Sequence, residues 1–274
     1  MSQKVTLPAL QAMKDREEKI VGVVAWDYQV AQIVDRAGVE IVSVGDTVGA
    51  NLWGDPNPLS IGMDEMVVVC RAVRRGVKRA MVSVDFPYGP LQEGVDSAVR
   101  AAIRLVKEAG ADMIKLDGAA DYPEAVTALK RAGIPVFAQF GITPQTALQY
   151  GIEYSAQSTV QVPAEMMQRL IDEAKMLEKA GADLLDFTNS GPIVGPEVVK
   201  HVNIPVIGGF GGGPWLDGRV RMVNAAVGYP AIALDKEEDR YANVARIIHD
   251  AIGEYAKDVR EGRQIRGGVP VKPS

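Results

Sequence analysis

Short apolar runs alternate with amphipathic stretches along the chain. Glycines close most of the amphipathic stretches, and acids end most of the apolar runs. Together these predict an α/β fold, a (β/α)8 barrel of the TIM type. Strands alternating with helices imply parallel pairing and right-handed crossovers, and seven or eight such units fit within 274 residues. The doubly wound open sheet is the alternative. No linker or change of composition divides the chain. Residues 1–274 are therefore expected to form one domain, with an N-terminal helical segment and a C-terminal helix.

The first apolar run is KIVGVVAWD (19–27). After it, a helix-like stretch ending in Ala-Gly leads into a Val/Ile/Leu-rich run four times: RAGVEIVSVGD (36–46), EAGADMIKLDG (108–118), RAGIPVFAQFG (131–141) and KAGADLLDFTN (179–189). A glycine just past a helix takes the left-handed conformation that closes it, and the run that follows reads as a strand buried on both faces. RAMVSVDFP (79–87) has the same apolar-then-acid form, NIPVIGGFG (203–211) ends in glycines, and 229–234 is the candidate for an eighth strand. Between them, apolar residues recur at spacings of three and four over 64–76, 95–110, 123–133, 164–181, 196–202 and 241–260, as in helices packed on a sheet. The segment QYGIEYSAQSTVQVP (149–163) is long for a barrel connection and suggests a lid or an interface. The last helix carries an apolar face for the barrel or for a neighbouring subunit, and a homo-oligomer is expected.

The composition, 47% hydrophobic and 24% charged, is that of a soluble globular protein, and a formal net charge of -5 offers no footprint for nucleic acid. The single cysteine, Cys70 in the run MVVVC, excludes an internal disulfide and reads as a small buried apolar residue. Charges interrupt the N-terminal stretch where a secretory signal needs its apolar core, and no run approaches the ~20 apolar residues of a membrane span. A cytoplasmic protein with no membrane partner is expected.

A barrel places its active site at the C-terminal ends of its strands. Those ends supply Asp27, Asp46 of VSVGDTVGANLWG (42–54), Asp85, Lys115 with Asp117, Gln139, Asp186 with Thr188 and Asn189, and the glycines of GGFGGGP (208–214). A single acid at such a place is commonly a helix cap or a turn former. Several acids converging on one mouth would repel one another, and a hard divalent cation such as Mg²⁺, which takes carboxylates and waters, resolves that repulsion. Asp46, Asp85 and Asp117 are the candidate cluster, with Lys115 beside it as a cation for a substrate anion. The glycine run reads either as backbone N–H groups for a phosphate or as a turn crowding another backbone. Trp53, Tyr88 and Trp215, just past strand ends, either flank a substrate or pack their own loops. The two histidines, His201 and His249, fall on expected helices away from the strand ends.

The series AWDYQVAQIVDRAG, VGDTVG, RAVRRG, DFPYG, IKLDG, IPVFAQFGITPQ and IPVIGGFGGG, in this order, resembles ketopantoate hydroxymethyltransferase. The resemblance runs from about Thr6 to about Gly262. That family belongs to the phosphoenolpyruvate mutase/isocitrate lyase superfamily of modified barrels. The resemblance implies Mg²⁺ and a small-molecule 2-oxo acid at the barrel mouth. It also implies transfer of a hydroxymethyl group from methylenetetrahydrofolate to the enolate of that acid. It implies further that Asp46 and Asp85 are metal-site aspartates, that Thr47 stands where a serine contacts the oxo acid's carboxylate, and that Lys115 binds substrate. Asp117 falls where the family has glutamate.

Two further positions depart from the family, both in the proton-transfer apparatus. Thr188 occupies the place of the glutamate that removes the substrate's proton, and Gln139 the place of a histidine. A threonine hydroxyl is no base near neutral pH. Asp186, two residues earlier on the same strand face, is the substitute. Hydroxymethyl transfer with an altered base is the first reading. An aldol-type lyase or decarboxylase acting on another 2-oxo acid is the alternative, and a non-catalytic binder of such acids the third.

Overall fold

Eight parallel strands close into a barrel in the computed structural model: β1 (Ile20–Val24), β2 (Ile41–Val44), β3 (Met81–Asp85), β4 (Met113–Leu116), β5 (Val136–Gly141), β6 (Leu184–Thr188), β7 (Val206–Gly208) and β8 (Gly218–Met222). The structure describes residues 3–210, 212–263 and 266–267. Its residues divide into two compact units, Met1–Arg221 with the barrel and Met222–Ser274 after it. Helices alternate with the strands: α1 (Leu7–Asp15), α2 (Tyr28–Arg36), α3 (Met63–Gly76), α4 (Val95–Arg104), α5 (Pro123–Arg131), α6 (Met167–Ala180) and α7 (Gly191–Lys200). The second unit holds α8 (Val223–Ala226) and α9 (Val244–Arg260). Among the described residues no helix is long and apolar enough to cross a membrane.

Strands β2 to β6 are buried along nearly their whole length, as their near-continuous apolar runs require. The eighth strand is a correction to the sequence reading. It is GRVRM, 218–222, whereas Ala231–Leu234 forms a short 3-10 turn. Two arginines and an alternating burial pattern disguise it, because only one of its faces is apolar. Its glycine is needed for closure: a Cβ on Gly218 would lie 2.1 Å from the Ile20 carbonyl oxygen, and Ile20 N–H donates to Asp217 O at 2.9 Å there. The helix expected from Pro196 begins at Gly191. Pro192 sits in its first turn, where a missing N–H is harmless, and Pro196 lies inside it.

The N-terminal end of the barrel repeats one clasp at alternate strand pairs. Asp112 accepts a hydrogen bond from Val82 N–H at 3.0 Å and donates its own N–H to Val82 O at 2.9 Å. Asp183 does the same with Val136, at 3.0 and 2.9 Å, and Asp217 with Val206, at 2.8 Å both ways. Glu40 repeats it with Val21 through its longer side chain, at 3.0 Å both ways. Each acid also pairs with a cation: Arg79 for Glu40, Arg74 for Asp112, Lys130 for Asp183 and Lys14 for Asp217. The strand-start N–H groups of β1, β3, β5 and β7 thereby gain charged acceptors, which make stronger hydrogen bonds than neutral ones.

Candidate active site

Strands β2, β3, β4 and β6 deliver four acids to the C-terminal end of the barrel. Asp46 follows β2, Asp85 ends β3, Asp117 follows β4 and Asp186 lies in β6; all four are buried. Lys115 on β4 stands among them. Its Nζ is 2.9 Å from Asp186 Oδ2 and 3.5 Å from Asp85 Oδ2, and 5.7 Å from the centre of the Phe137 ring. Below Asp85, Ser83 Oγ donates to Ser43 Oγ at 2.8 Å, and Ser43 Oγ reaches Asp85 Oδ1 at 3.5 Å. Parallel register sets Gln139 opposite Asp186, and Gln139 Nε2 donates to Thr188 Oγ1 at 2.7 Å.

The loop after β5 covers this cluster. Gln145 Nε2 donates to Asp46 Oδ2 at 2.8 Å and to Phe86 O at 2.9 Å, while Gln145 N–H donates to Asp117 Oδ2 at 3.2 Å. Further along, the Tyr154 hydroxyl accepts from Asn51 Nδ2 at 3.2 Å and lies within hydrogen-bond reach of Thr47. Asn189, at the tip of β6, pins the loop. Its Nδ2 donates to the carbonyls of Gln157 and Val160, its Oδ1 accepts from Gln157 Nε2 at 2.7 Å, and its own carbonyl accepts from Val162 N–H at 2.8 Å. It does so at φ 58°, the left-handed region that asparagine tolerates.

Burial and crowding set the charge states. Burial first, then the charges of Asp85 and Asp117, hold the Asp46 carboxyl well above the ordinary carboxylate range. Burial also raises Asp85, against the pull of Lys115. Asp117 is pushed up to about 7, chiefly by burial. Burial alone would lower Lys115, but the carboxylates of Asp186 and Asp85 outweigh it and hold the ammonium above its ordinary range. Asp117 Oδ1 and Asp186 Oδ1 are buried without a hydrogen-bond partner. An unpartnered buried carboxylate oxygen is costly, and such atoms concentrate at functional sites.

The structure thus brings Asp46, Thr47, Asp85, Lys115, Asp117, Gln139, Asp186 and Thr188 to one end of the barrel, all buried. Other strand-end residues serve structure. Asp27 caps α2, its side chain accepting from Val30 N–H at 2.9 Å. Trp215 packs on α7: Nε1 donates to Ser190 Oγ at 3.0 Å, and Gly195 of that helix and Gly213 of its own loop lie against its ring. Trp53 and Tyr88 are about half exposed. In the glycine run, Gly211 lies outside the described residues. Gln145 and Tyr154 were missed as site residues. The first sits in the TPQ turn and the second in the long insertion, and neither follows a strand directly; only the length of the insertion pointed toward this loop.

A divalent cation suits this donor set. Among the described residues no three His, Cys, Asp or Glu side chains are grouped closely enough to hold a metal ion by themselves. Mg²⁺ needs fewer, since it keeps several waters and takes one or two carboxylates together with oxygens of its substrate. Acids that raise one another's pKa, one with an unpartnered oxygen, fit that requirement.

Comparison with known proteins agrees with the resemblance in the strand-end segments. A family model described as ketopantoate hydroxymethyltransferase matches residues 4–264. The chain is 39% identical over 267 residues to a 3-methyl-2-oxobutanoate hydroxymethyltransferase of Pyrococcus abyssi, covering 95% of this chain and 90% of that one. It is also 39% identical over 263 residues to the enzyme of that name from a Cyanothece strain, covering 93% and 96%. Among solved structures, 2,3-dimethylmalate lyase, described as a PEP mutase/isocitrate lyase superfamily member, aligns with a TM-score of 0.60 at 13% identity, over 97% of this chain and 92% of that one. Phosphonopyruvate hydrolase in complex with oxalate and Mg²⁺ aligns with a TM-score of 0.59 at 15% identity, over the same shares. Those two likenesses concern the fold alone. With the family model spanning nearly the whole chain and relatives near 40% identity aligned end to end, the chain belongs to the ketopantoate hydroxymethyltransferase family.

Proposed function

We propose that the protein transfers a hydroxymethyl group to the carbon beside the oxo group of a 2-oxo acid, with 3-methyl-2-oxobutanoate as first candidate and methylenetetrahydrofolate as the one-carbon donor. The single observation that carries the reading is the state of Asp186: one oxygen is held by Lys115 and the other is buried without a partner. A carboxylate oriented by one oxygen and open at the other is arranged to take a proton.

Asp46 and Asp117, with waters and the oxo acid's own oxygens, would hold Mg²⁺ beside Asp85; when bound the ion supplies Lewis-acid stabilisation of negative charge on the oxo acid's oxygens. Thr47 donates a hydrogen bond to the substrate's carboxylate. Lys115 keeps Asp186 oriented and sets a positive charge against the substrate anion. The C3 proton passes to Asp186 Oδ1. A water displaces the donor's methylene carbon from its two nitrogens, releasing tetrahydrofolate and leaving that carbon at the oxidation level of formaldehyde. The enolate carbon attacks this one-carbon unit, whose oxygen takes up a proton to become the hydroxymethyl group. Thr188 accepts from Gln139, so its own O–H remains to donate to the incoming molecule.

The test is proton NMR of 3-methyl-2-oxobutanoate in D₂O with the protein and Mg²⁺. Exchange of the C3 proton that requires Mg²⁺ and is lost in Asp186→Asn is the expected result. An exchange rate equal to that without protein would refute the reading for this substrate. The neutral Gln139–Thr188 pair favours one further reading, aldol cleavage or decarboxylation of another 2-oxo acid, since neither reaction begins by removing a proton from carbon. Loss of oxaloacetate or of a hydroxylated 2-oxo acid in the same tube, without C3 exchange, would select it.

A further inference from the structure

Gln145 ties together Asp46 and Asp117, acids that arrive from two different strands. Both N–H bonds of its amide are in use, one on Asp46 Oδ2 at 2.8 Å and one on the Phe86 carbonyl at 2.9 Å. Its backbone N–H donates to Asp117 Oδ2 at 3.2 Å. Asp117 Oδ1 is left buried with no partner, and Asp46 has one oxygen fixed. Gln145 is itself 9% exposed. The Phe86 carbonyl lies just past Asp85, the end of β3, so a single residue is referenced to the ends of β2, β3 and β4 at once. A neutral amide suits this place. It donates to a crowded carboxylate without adding a cation that would compete with a divalent ion for the same charge.

We propose that Gln145 is a positioning residue for divalent-cation binding: it fixes the rotation of Asp46 and Asp117 so that each offers one defined oxygen to the same ion. The inference rests on the functional reading above, and in particular on the cation site. Free side-chain rotation of either acid would let a carboxylate swing away from the ion, and a water would take its place. Orienting partners of this kind commonly set metal affinity by one to two orders of magnitude when removed.

The experiment measures Mn²⁺ binding by the full-length protein through the EPR signal of the free ion, together with water-proton relaxation at saturating Mn²⁺, which counts waters on the bound ion. Wild type is compared with Gln145→Met, which keeps the length of the side chain and removes both donors. The expected result is affinity weaker by about tenfold or more and a rise in the number of bound waters, with an unchanged circular dichroism spectrum. Equal affinity and equal hydration in the two proteins would overturn the role of Gln145 while leaving the cation site intact. Absence of Mn²⁺ binding by wild type would overturn the cation site, and with it this role. If Gln145→Met does not fold, ¹⁵N-glutamine-labelled wild type decides instead. A slowly exchanging side-chain amide that shifts as Mg²⁺ is added supports the proposal, and no such signal among the glutamines counts against it.

Discussion

Lys115→Met should destabilise the protein by about 3–5 kcal/mol, the usual result of removing one partner from a buried ion pair. The structure allows the estimate to be built up. Lys115 Nζ lies 2.9 Å from Asp186 and 3.5 Å from Asp85, with side chains 9%, 3% and 11% exposed. At an effective dielectric constant of about 20, each contact is worth roughly 5 kcal/mol of gross Coulomb attraction. Desolvation of the three groups offsets much of that. Asp85, already raised by burial, can also take up a proton once the cation is gone, which limits the loss. Methionine preserves volume and leaves the Phe137 packing in place, so the measured change reports charge. The assay is urea denaturation at pH 7 in EDTA, followed by far-UV circular dichroism, on wild type, Lys115→Met, Asp186→Asn and the double variant. The double variant should lose less than the sum of the singles by about 1–3 kcal/mol, because the second change removes an acid that has already lost its partner. Additive losses, or a Lys115→Met protein within about 0.5 kcal/mol of wild type, would refute the ion pair as the organiser of this mouth.

Asp117, with a folded-state pKa near 7, holds a proton in the folded protein across a range where the unfolded chain has lost it. Its contribution should therefore fall as pH rises from about 4 to 7. Metal-free protein should weaken over that window, Asp117→Asn should flatten the slope, and denaturation midpoints at several pH values decide it. Asn189→Ala removes two donors and an acceptor from the loop anchor; it should cost about 1–3 kcal/mol and expose 142–162 to limited proteolysis, read by mass spectrometry of the fragments. Gly141→Ala should cost more than about 1 kcal/mol, measured by thermal denaturation. The residue has φ 94°, and the added Cβ would lie 2.5 Å from the Thr188 carbonyl oxygen, moving the strand end that carries the candidate base.

Periodicity made the barrel legible, because buried parallel strands are continuous apolar runs and their helices repeat at three and four. That signal fails where a strand is short and one-sided, which is why Arg219 and Arg221 concealed β8 and the apolar 229–234 stood in for it. The acids were legible for a related reason: a carboxylate at the end of an apolar strand has no structural use unless it caps a helix, as Asp27 does. How the acids are divided was not legible. Lys115 and Asp117 are two residues apart, yet Lys115 pairs across to β6 and β3, while Asp117, one residue beyond β4, belongs to the loop after β5. Gln145, Tyr154 and Asn189 act through contacts with residues 27 to 103 positions away, which local spacing does not encode.

The clasps at the base of the barrel place Val21 with Glu40, Val82 with Asp112, Val136 with Asp183 and Val206 with Asp217 in the same relation four times over. The mouth, by contrast, places its acids, its lysine and its two glutamines each in a different set of contacts. One end of the molecule is therefore modular, four copies of a strand pair fastened alike, and the other end is improvised on that base. Such a division lets the two ends drift independently in descent. A substitution at position 188, at the end of β6, alters the mouth without loosening any fastening below it, and the loss of one fastening leaves three to keep the scaffold in register.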